Sequence, residues 1–190
     1  QSGEKREVIM NRSRVAPSRK EVWKMFDSIS STYDAVNRIM TGGLDLYWRR
    51  KMAIFLPKHS KIRLLDCATG TADQLITLLK RSKAISSAVG IDLSQEMLSL
   101  GQAKINAKGF SSKAQLQVAS ALNIPFEEGS FECVSMSFGI RNVTSISLCL
   151  QEIYRTLCPG GRVLILETSL PKSKLIRSLH LFYLRKLLPA

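Results

Sequence analysis

Asp66, Gly70, Thr71 and Asp73 fall within LLDCATGTAD (64–73), where an apolar run gives way to small residues around one glycine. A glycine at such a point lets the backbone come close to a ligand. Thr71, Ala72 and Asp73 would then open a helix whose free N–H groups face the same crevice. A dinucleotide site needs G-x-G-x-x-G, which makes room for pyrophosphate at the helix end. This loop has one glycine and puts the acid Asp73 where the phosphate would lie. A cationic ligand with an amino-acid head is therefore favoured over an anionic one. S-adenosylmethionine fits, with an ammonium and a sulfonium to set against Asp66 and Asp73. Asp92, 22 residues after Gly70, stands at the end of the next apolar run. An acid at that interval and at a strand end is placed to accept both ribose hydroxyls.

The elements that must hold these residues follow from periodicity. KIRLLDCA (61–68) reads as a first strand and ADQLITLLKRS as the helix after it. SAVGIDL (87–93) reads as a second strand, followed by a helix capped by Ser94 and closed by Gly109. AQLQVAS (114–120) and FECVSMSFG (131–139) are the third and fourth strands, a helix spans 145–157 and ends at CPGG, and GRVLILETS (161–169) is the fifth strand. Alternating strands and helices predict an α/β fold with a mainly parallel, Rossmann-like sheet covered on both faces. Ligands of such sheets sit at the C-terminal ends of the strands, beside the point where strand order reverses.

Three regions are expected: a helical cap with a basic arm over 1–60, an α/β cofactor-binding core over 61–170, and a basic apolar helix over 171–190. The chain has 190 residues, 45% of them hydrophobic, enough for one ordinary core. The net charge of +13 is not evenly spread. Residues 64–170 carry nine basic and nine acidic side chains, whereas 48–63 carry six basic and no acidic ones and 171–190 carry five and none. Residues 1–24, with seven basic and three acidic side chains, read as a solvated face. In 171–190, Leu175, Ile176, Leu179, Phe182, Tyr183, Leu187 and Leu188 make an apolar stripe beside Lys174, Arg177, Arg185 and Lys186. That pattern suits core packing or peripheral contact with an anionic bilayer. No apolar run is long enough for a spanning helix and the N-terminus lacks the centre of a signal peptide, so a cytoplasmic protein is expected, peripheral at the inner membrane if the stripe meets lipid. Cys67, Cys133, Cys149 and Cys158 form no CxxC pair and read as buried thiols, so neither a metal site nor a disulfide is expected. His59 and His180 read as surface residues and Trp48 as packing.

The residues resemble the UbiE-type quinone-biosynthesis C-methyltransferases, a branch of the class I S-adenosylmethionine-dependent methyltransferases. YDAVNRIMTGGLDLYW is similar to that family's N-terminal signature, and SFGIRNV followed by RTLCPGGRVLILETS to its C-terminal one. The resemblance implies S-adenosyl-L-methionine as methyl donor, held by Thr71 in the turn, Asp92 on the ribose, Ser120 and Ala121 beside the adenine, and Ser137 at the end of the fourth strand. The sequence departs from the family pattern at Thr69 and Ala72, which replace loop glycines, at Ser120, where an Asp or Asn is usual, and at Asp45, where a His is usual. The terminal antiparallel hairpin of the family's sheet is expected to be missing from this chain.

Methylating a quinol carbon requires the ring to be made electron-rich by ionising a neighbouring hydroxyl, whose ordinary pKa is about 10. Arg141 and Asn142, just past the fourth strand, would stabilise the quinolate oxygen, and Tyr33 would cap the pocket and donate a hydrogen bond to the ring. The substrate implied is a prenylated quinol of the demethylmenaquinol or 2-polyprenyl-6-methoxy-benzoquinol type, and a homodimer is entertained. Two alternatives stand beside this reading: a methyltransferase for RNA or another small molecule, and a non-catalytic subunit with the same fold. Nucleic acid is disfavoured because the basic flanks lack interleaved stacking aromatics and the chain lacks an N-P-P-Y-type motif.

Overall fold

The computed structural model describes residues 22–58, 61–169 and 173, with side chains from residue 32. The basic arm, His59, His180 and the apolar stripe over 174–190 lie outside the described residues. Ten regular elements follow in order: α1 (Val22–Thr41), α2 (Leu44–Met52), β1 (Ile62–Cys67), α3 (Asp73–Arg81), β2 (Ile85–Asp92), α4 (Gln95–Ala107), β3 (Ala114–Val118), β4 (Phe131–Ser137), α5 (Ile146–Thr156) and β5 (Leu157–Leu166). Short 3-10 turns occupy Ala53–Phe55 and Ile140–Asn142.

The five strands form one parallel sheet in the order β3-β2-β1-β4-β5. The chain winds outward from β1 to β3, returns to the other side of β1 at β4, and so reverses between β1 and β4. β1 is central and covered on both faces, so Leu64, Leu65, Asp66 and Cys67 are all buried. One core layer joins Leu64, Leu75, Leu78 and Ile105 on the α3 and α4 side; the other joins Leu65, Ile91, Val134 and Ile153 under α5. Outside the sheet, α2 packs on α3 and β5, and α1 packs on α4 and α2.

Helix starts match the cap residues. Ser94 accepts from the Met97 amide at 3.1 Å, and Ser145 accepts from the Leu148 amide at 3.2 Å. Gly109 follows α4 at φ +74°, as a residue ending a helix should. Several strand bounds differ from expectation. β2 begins at Ile85 rather than 87, β3 ends at Val118, and β4 ends at Ser137 because Phe138 turns into the left-handed region at φ +59°. β5 begins at Leu157, not 161: Leu157 pairs with Phe131 and Arg162 with Cys133, so the CPG segment is an outward bulge inside the strand rather than a connection. Cys67, Cys133 and Cys149 are buried as expected, but Cys158, on that bulge, is only half-buried and donates to the Gly129 carbonyl at 2.9 Å.

Candidate functional site

Between β1 and α3 the backbone alternates through the left-handed region at Ala68 (φ 50°), Gly70 (φ 54°) and Ala72 (φ 62°). Two backbone bonds close this turn: Thr69 donates to the Ile91 carbonyl and Ala72 to the Thr69 carbonyl, each at 3.0 Å. The Gly70 amide donates to Asp92 Oδ2 at 2.8 Å, and the Ser94 amide donates to Asp92 Oδ1 at 3.0 Å. The two backbone donors hold the Asp92 carboxylate at the mouth of the crevice.

A cavity of about 300 Å³ opens there, at the C-terminal ends of β1, β2 and β4. Gly70, Asp92, Ser120 and Ala121 line it together with the large apolar side chains of Leu93, Met97, Phe138 and Val143, and with Tyr33, Ser137 and Asn142. Seven of the eleven residues singled out in the sequence thus meet around one space. Ser120 also accepts from the Leu122 amide at 3.1 Å, and Ser137 donates to Gln74 Oε1 at 3.1 Å, so each hydroxyl already serves the local structure. Tyr33 reaches the cavity from α1. Burial raises its pKa above the usual phenol value, opposed by the charges of Arg49 and Arg141, so the ring carries its proton at neutral pH.

Asp66, Thr71 and Asp73 lie behind the turn, in a narrow recess shared with Arg49 and Gln74 that adjoins the main cavity at Tyr33, Ala68, Gly70 and Ser137. Asp66 is 1% exposed and accepts from Ser135 Oγ at 2.6 Å and Thr69 Oγ1 at 2.7 Å. Burial outweighs those hydrogen bonds and the nearby Arg49 charge, and raises its pKa to about 6. Thr71 and Asp73 face protein partners: Thr71 Oγ1 donates to Asp34 Oδ1 at 2.7 Å, and Asp73 is paired with Arg38 at 3.1 Å and Lys104 at 2.7 Å. Asp73, which the sequence sets against a bound cation, has two cationic partners within the protein.

Arg141 is not among the cavity-lining side chains. It is half-exposed on the turn that carries Asn142, and its guanidinium pairs with Glu167 Oε1 at 2.7 Å. Trp48 lines a separate groove with Phe55 and β5. Arg49, Gln74 and Lys104 escaped the sequence reading. Arg49 sits in a basic run that looked like a flank, and Gln74 and Lys104 carry no local signal. Leu93 had one, as a large apolar side chain directly after the strand-end acid. Among the described residues no three His, Cys, Asp or Glu side chains gather as a metal site requires, and no helix is long and apolar enough to cross a membrane.

Residues 14–190 match the family described as ubiE/COQ5 methyltransferase family. A ubiquinone/menaquinone biosynthesis C-methyltransferase UbiE from Geotalea daltonii is 41% identical over 170 residues, which are 90% of this chain and 72% of that protein. A demethylmenaquinone methyltransferase from Lactiplantibacillus plantarum is 34% identical over 165 residues, 87% of this chain and 70% of that protein. Among solved structures, the cyclase SpnF superposes with a TM-score of 0.71 at 20% identity, covering 83% of this chain and 63% of its own, a likeness of fold alone.

Proposed function

The chain belongs to the ubiE/COQ5 methyltransferase family, and on that premise we propose that it methylates a ring carbon of a prenylated quinol, of the demethylmenaquinol or polyprenyl-methoxy-benzoquinol type. The observation that carries this reading is the mixed lining of the cavity. The fixed Asp92 carboxylate and the Gly70 backbone share it with the apolar side chains of Leu93, Met97, Phe138 and Val143. Such a lining suits a nucleoside together with an aromatic ring.

S-adenosylmethionine supplies the electrophilic methyl group. Asp92 accepts the two ribose hydroxyls while its other lone pairs stay on the Gly70 and Ser94 amides. Ser120 and Ala121 flank the adenine, and Ser137 closes the space at the end of β4. Asp66 faces the ammonium, a role that requires its ionised form. Thr71 and Asp73 act through the turn, which their bonds to Asp34, Arg38 and Lys104 keep in shape. On the quinol side, Tyr33 donates to a ring oxygen and Asn142 orients it. Arg141, once released from Glu167, stabilises the negative charge that builds as the hydroxyl loses its proton. The methyl would pass to the ring carbon as its bond to the sulfonium breaks and the neutral thioether leaves, and the hydroxyl proton and then the ring proton would go to water, restoring aromaticity. A polyprenyl tail keeps such a substrate in a bilayer, so the protein would work as a cytoplasmic enzyme visiting the membrane surface.

The test is transfer of isotopically labelled methyl to demethylmenaquinol and to a prenylated methoxy-benzoquinol, each presented in detergent or lipid. Label in either quinol supports the proposal. Binding of S-adenosylmethionine without transfer to either reduced ring would sink it.

A further inference from the structure

In α1 the polar side chains face the protein and the apolar ones face solvent. Tyr33 lines the cavity, Asp34 accepts from Thr71 Oγ1 at 2.7 Å, Arg38 pairs with Asp73 at 3.1 Å, and Thr41 donates to Asp45 Oδ1 at 3.1 Å. The helical period then turns Val36, Ile39 and Met40 outward, where they are 42%, 57% and 43% exposed. A helix on a globular core ordinarily does the reverse. Past the Gly42–Gly43 turn, α2 continues the pattern: Asp45, Arg49 and Met52 are buried, whereas Leu44 and Tyr47 are exposed. Just beyond it, Ile54 and Phe55 are exposed as well. Large apolar side chains left outside on consecutive elements mark a contact surface.

The partner follows from the charges. The acids within residues 32–58 are Asp34 and Asp45, and both are turned inward. Arg50, Lys51 and Lys58 are exposed, with no acidic partner among the described residues; Lys51 Nζ instead stands 5.5 Å from the centre of the Tyr47 ring. Apolar side chains mixed with cations and free of acids match the boundary between acyl chains and anionic headgroups, where Tyr and Lys keep an apolar body in one layer and a polar tip in the other. We infer that the outer faces of α1 and α2 dock the protein on an anionic lipid bilayer. The inference deepens the quinol reading and rests on it for its purpose, since a polyprenyl tail stays in the bilayer. Tyr33, which lines the cavity, is one helical turn from Val36, so docking sets the cavity beside the lipid.

Sedimentation with vesicles tests the surface, and methyl transfer tests its purpose. The full chain should bind vesicles containing about 30% phosphatidylglycerol at least about tenfold more tightly than phosphatidylcholine alone, and the excess should fade as salt rises from about 0.05 to about 0.5 M. Ile39→Ser/Ile54→Ser changes exposed positions where the fold has little to lose, and should weaken that binding about tenfold with the melting temperature kept. Arg50→Gln/Lys51→Gln should weaken it about as much and lessen the salt dependence. Each pair should leave methyl transfer to a short-tailed, water-dispersed quinol within about twofold of wild type, and cut transfer to a long-tailed quinol in anionic vesicles at least about fivefold. Binding that both pairs leave intact, including binding abolished only by replacing the apolar side chains of 174–190, overturns the assignment. So does a wild-type chain that ignores anionic vesicles. Variants that lose self-association and keep vesicle binding overturn it too, by making a second copy of the chain the occupant. A wild type that docks through this face and methylates neither quinol overturns the function proposed above and keeps the surface.

Discussion

Lys104 on α4 donates to Asp73 Oδ1 at 2.7 Å and to Thr71 Oγ1 at 2.9 Å, and it also pairs with Asp34 on α1. Arg38, one turn further along α1, holds the other Asp73 oxygen at 3.1 Å. Two acids, two cations and a hydroxyl therefore join α1, the Gly70 turn and α4. α1 is the element that brings Tyr33 to the cavity, so the network fastens the cap to the floor of the site. A connected set of partly buried charges is worth more than one exposed ion pair.

Lys104→Met removes the centre of that network and leaves Asp34 and Asp73 facing each other. The fold should lose about 1–2 kcal/mol, between the values for an exposed pair and a buried one. The loss should be local, with amides of residues 32–41 exchanging about tenfold faster while those of β1 hold their protection. Unchanged exchange in α1 would mean that apolar packing, not this network, holds the cap.

Asp92→Ala should weaken S-adenosylmethionine binding by about 2–4 kcal/mol, given charge-assisted bonds of roughly 1.5–3 kcal/mol each that do not fully add. The variant also deprives the Gly70 and Ser94 amides of their acceptor. Asp92→Asn, which keeps one oxygen for an amide, should lose less. Calorimetry that finds full affinity in a folded Asp92→Ala chain would remove this residue from the site.

Asp66 offers a pH test. Its folded pKa of about 6 lies above the ordinary carboxylate value because burial dominates. Stability tied to its neutral form is therefore fully present below about pH 4 and is lost as pH rises through about 6, a difference of about 3 kcal/mol at most. Asp66→Asn should be more stable than the wild type at pH 8, and the gap should close towards pH 4. If the ionised carboxylate receives the cofactor's ammonium, affinity should drop as pH falls below about 6, approaching tenfold per pH step, in the wild type and not in Asp66→Asn. Parallel pH profiles for the two would refute that role.

What the sequence made legible was what short-range chemistry decides. Ser94 announces its helix by a side chain that bonds an amide three residues on, and the β1 apolar run reads directly as a buried strand. The meeting of Gly70 with Asp92 was legible too, because it follows from strand ends sharing one sheet edge. Partners far along the chain were not. Asp73 looked like an acid awaiting a cation, yet its cations come from 35 residues before and 31 residues after. Arg49 sat in a run of basic residues and drew no role from its neighbours in sequence; packing of α2 on α3 buries it. The start of β5 was hidden because Pro159 and Gly160 read as a break, while β4 pairs with residues on both sides of the bulge.

Arg141 is the sharpest test of the chemistry. Its guanidinium is half-exposed and held to Glu167 at 2.7 Å, on the turn whose next residue, Asn142, lines the cavity. If it swings from Glu167 to the quinol oxygen as charge builds there, Arg141→Ala should leave cofactor affinity nearly intact and cut turnover by about 10²–10³, the usual loss for one oxyanion donor. Arg141→Lys should recover part of it, since lysine keeps the charge without the fork. The defect should shrink as pH approaches the quinol's own pKa of about 10, where solution already supplies the anion. Glu167→Gln, which frees the guanidinium without removing it, should stay within a few-fold of wild type. A flat response of turnover to Arg141→Ala would assign the quinolate to Tyr33 and Asn142, which both line the cavity.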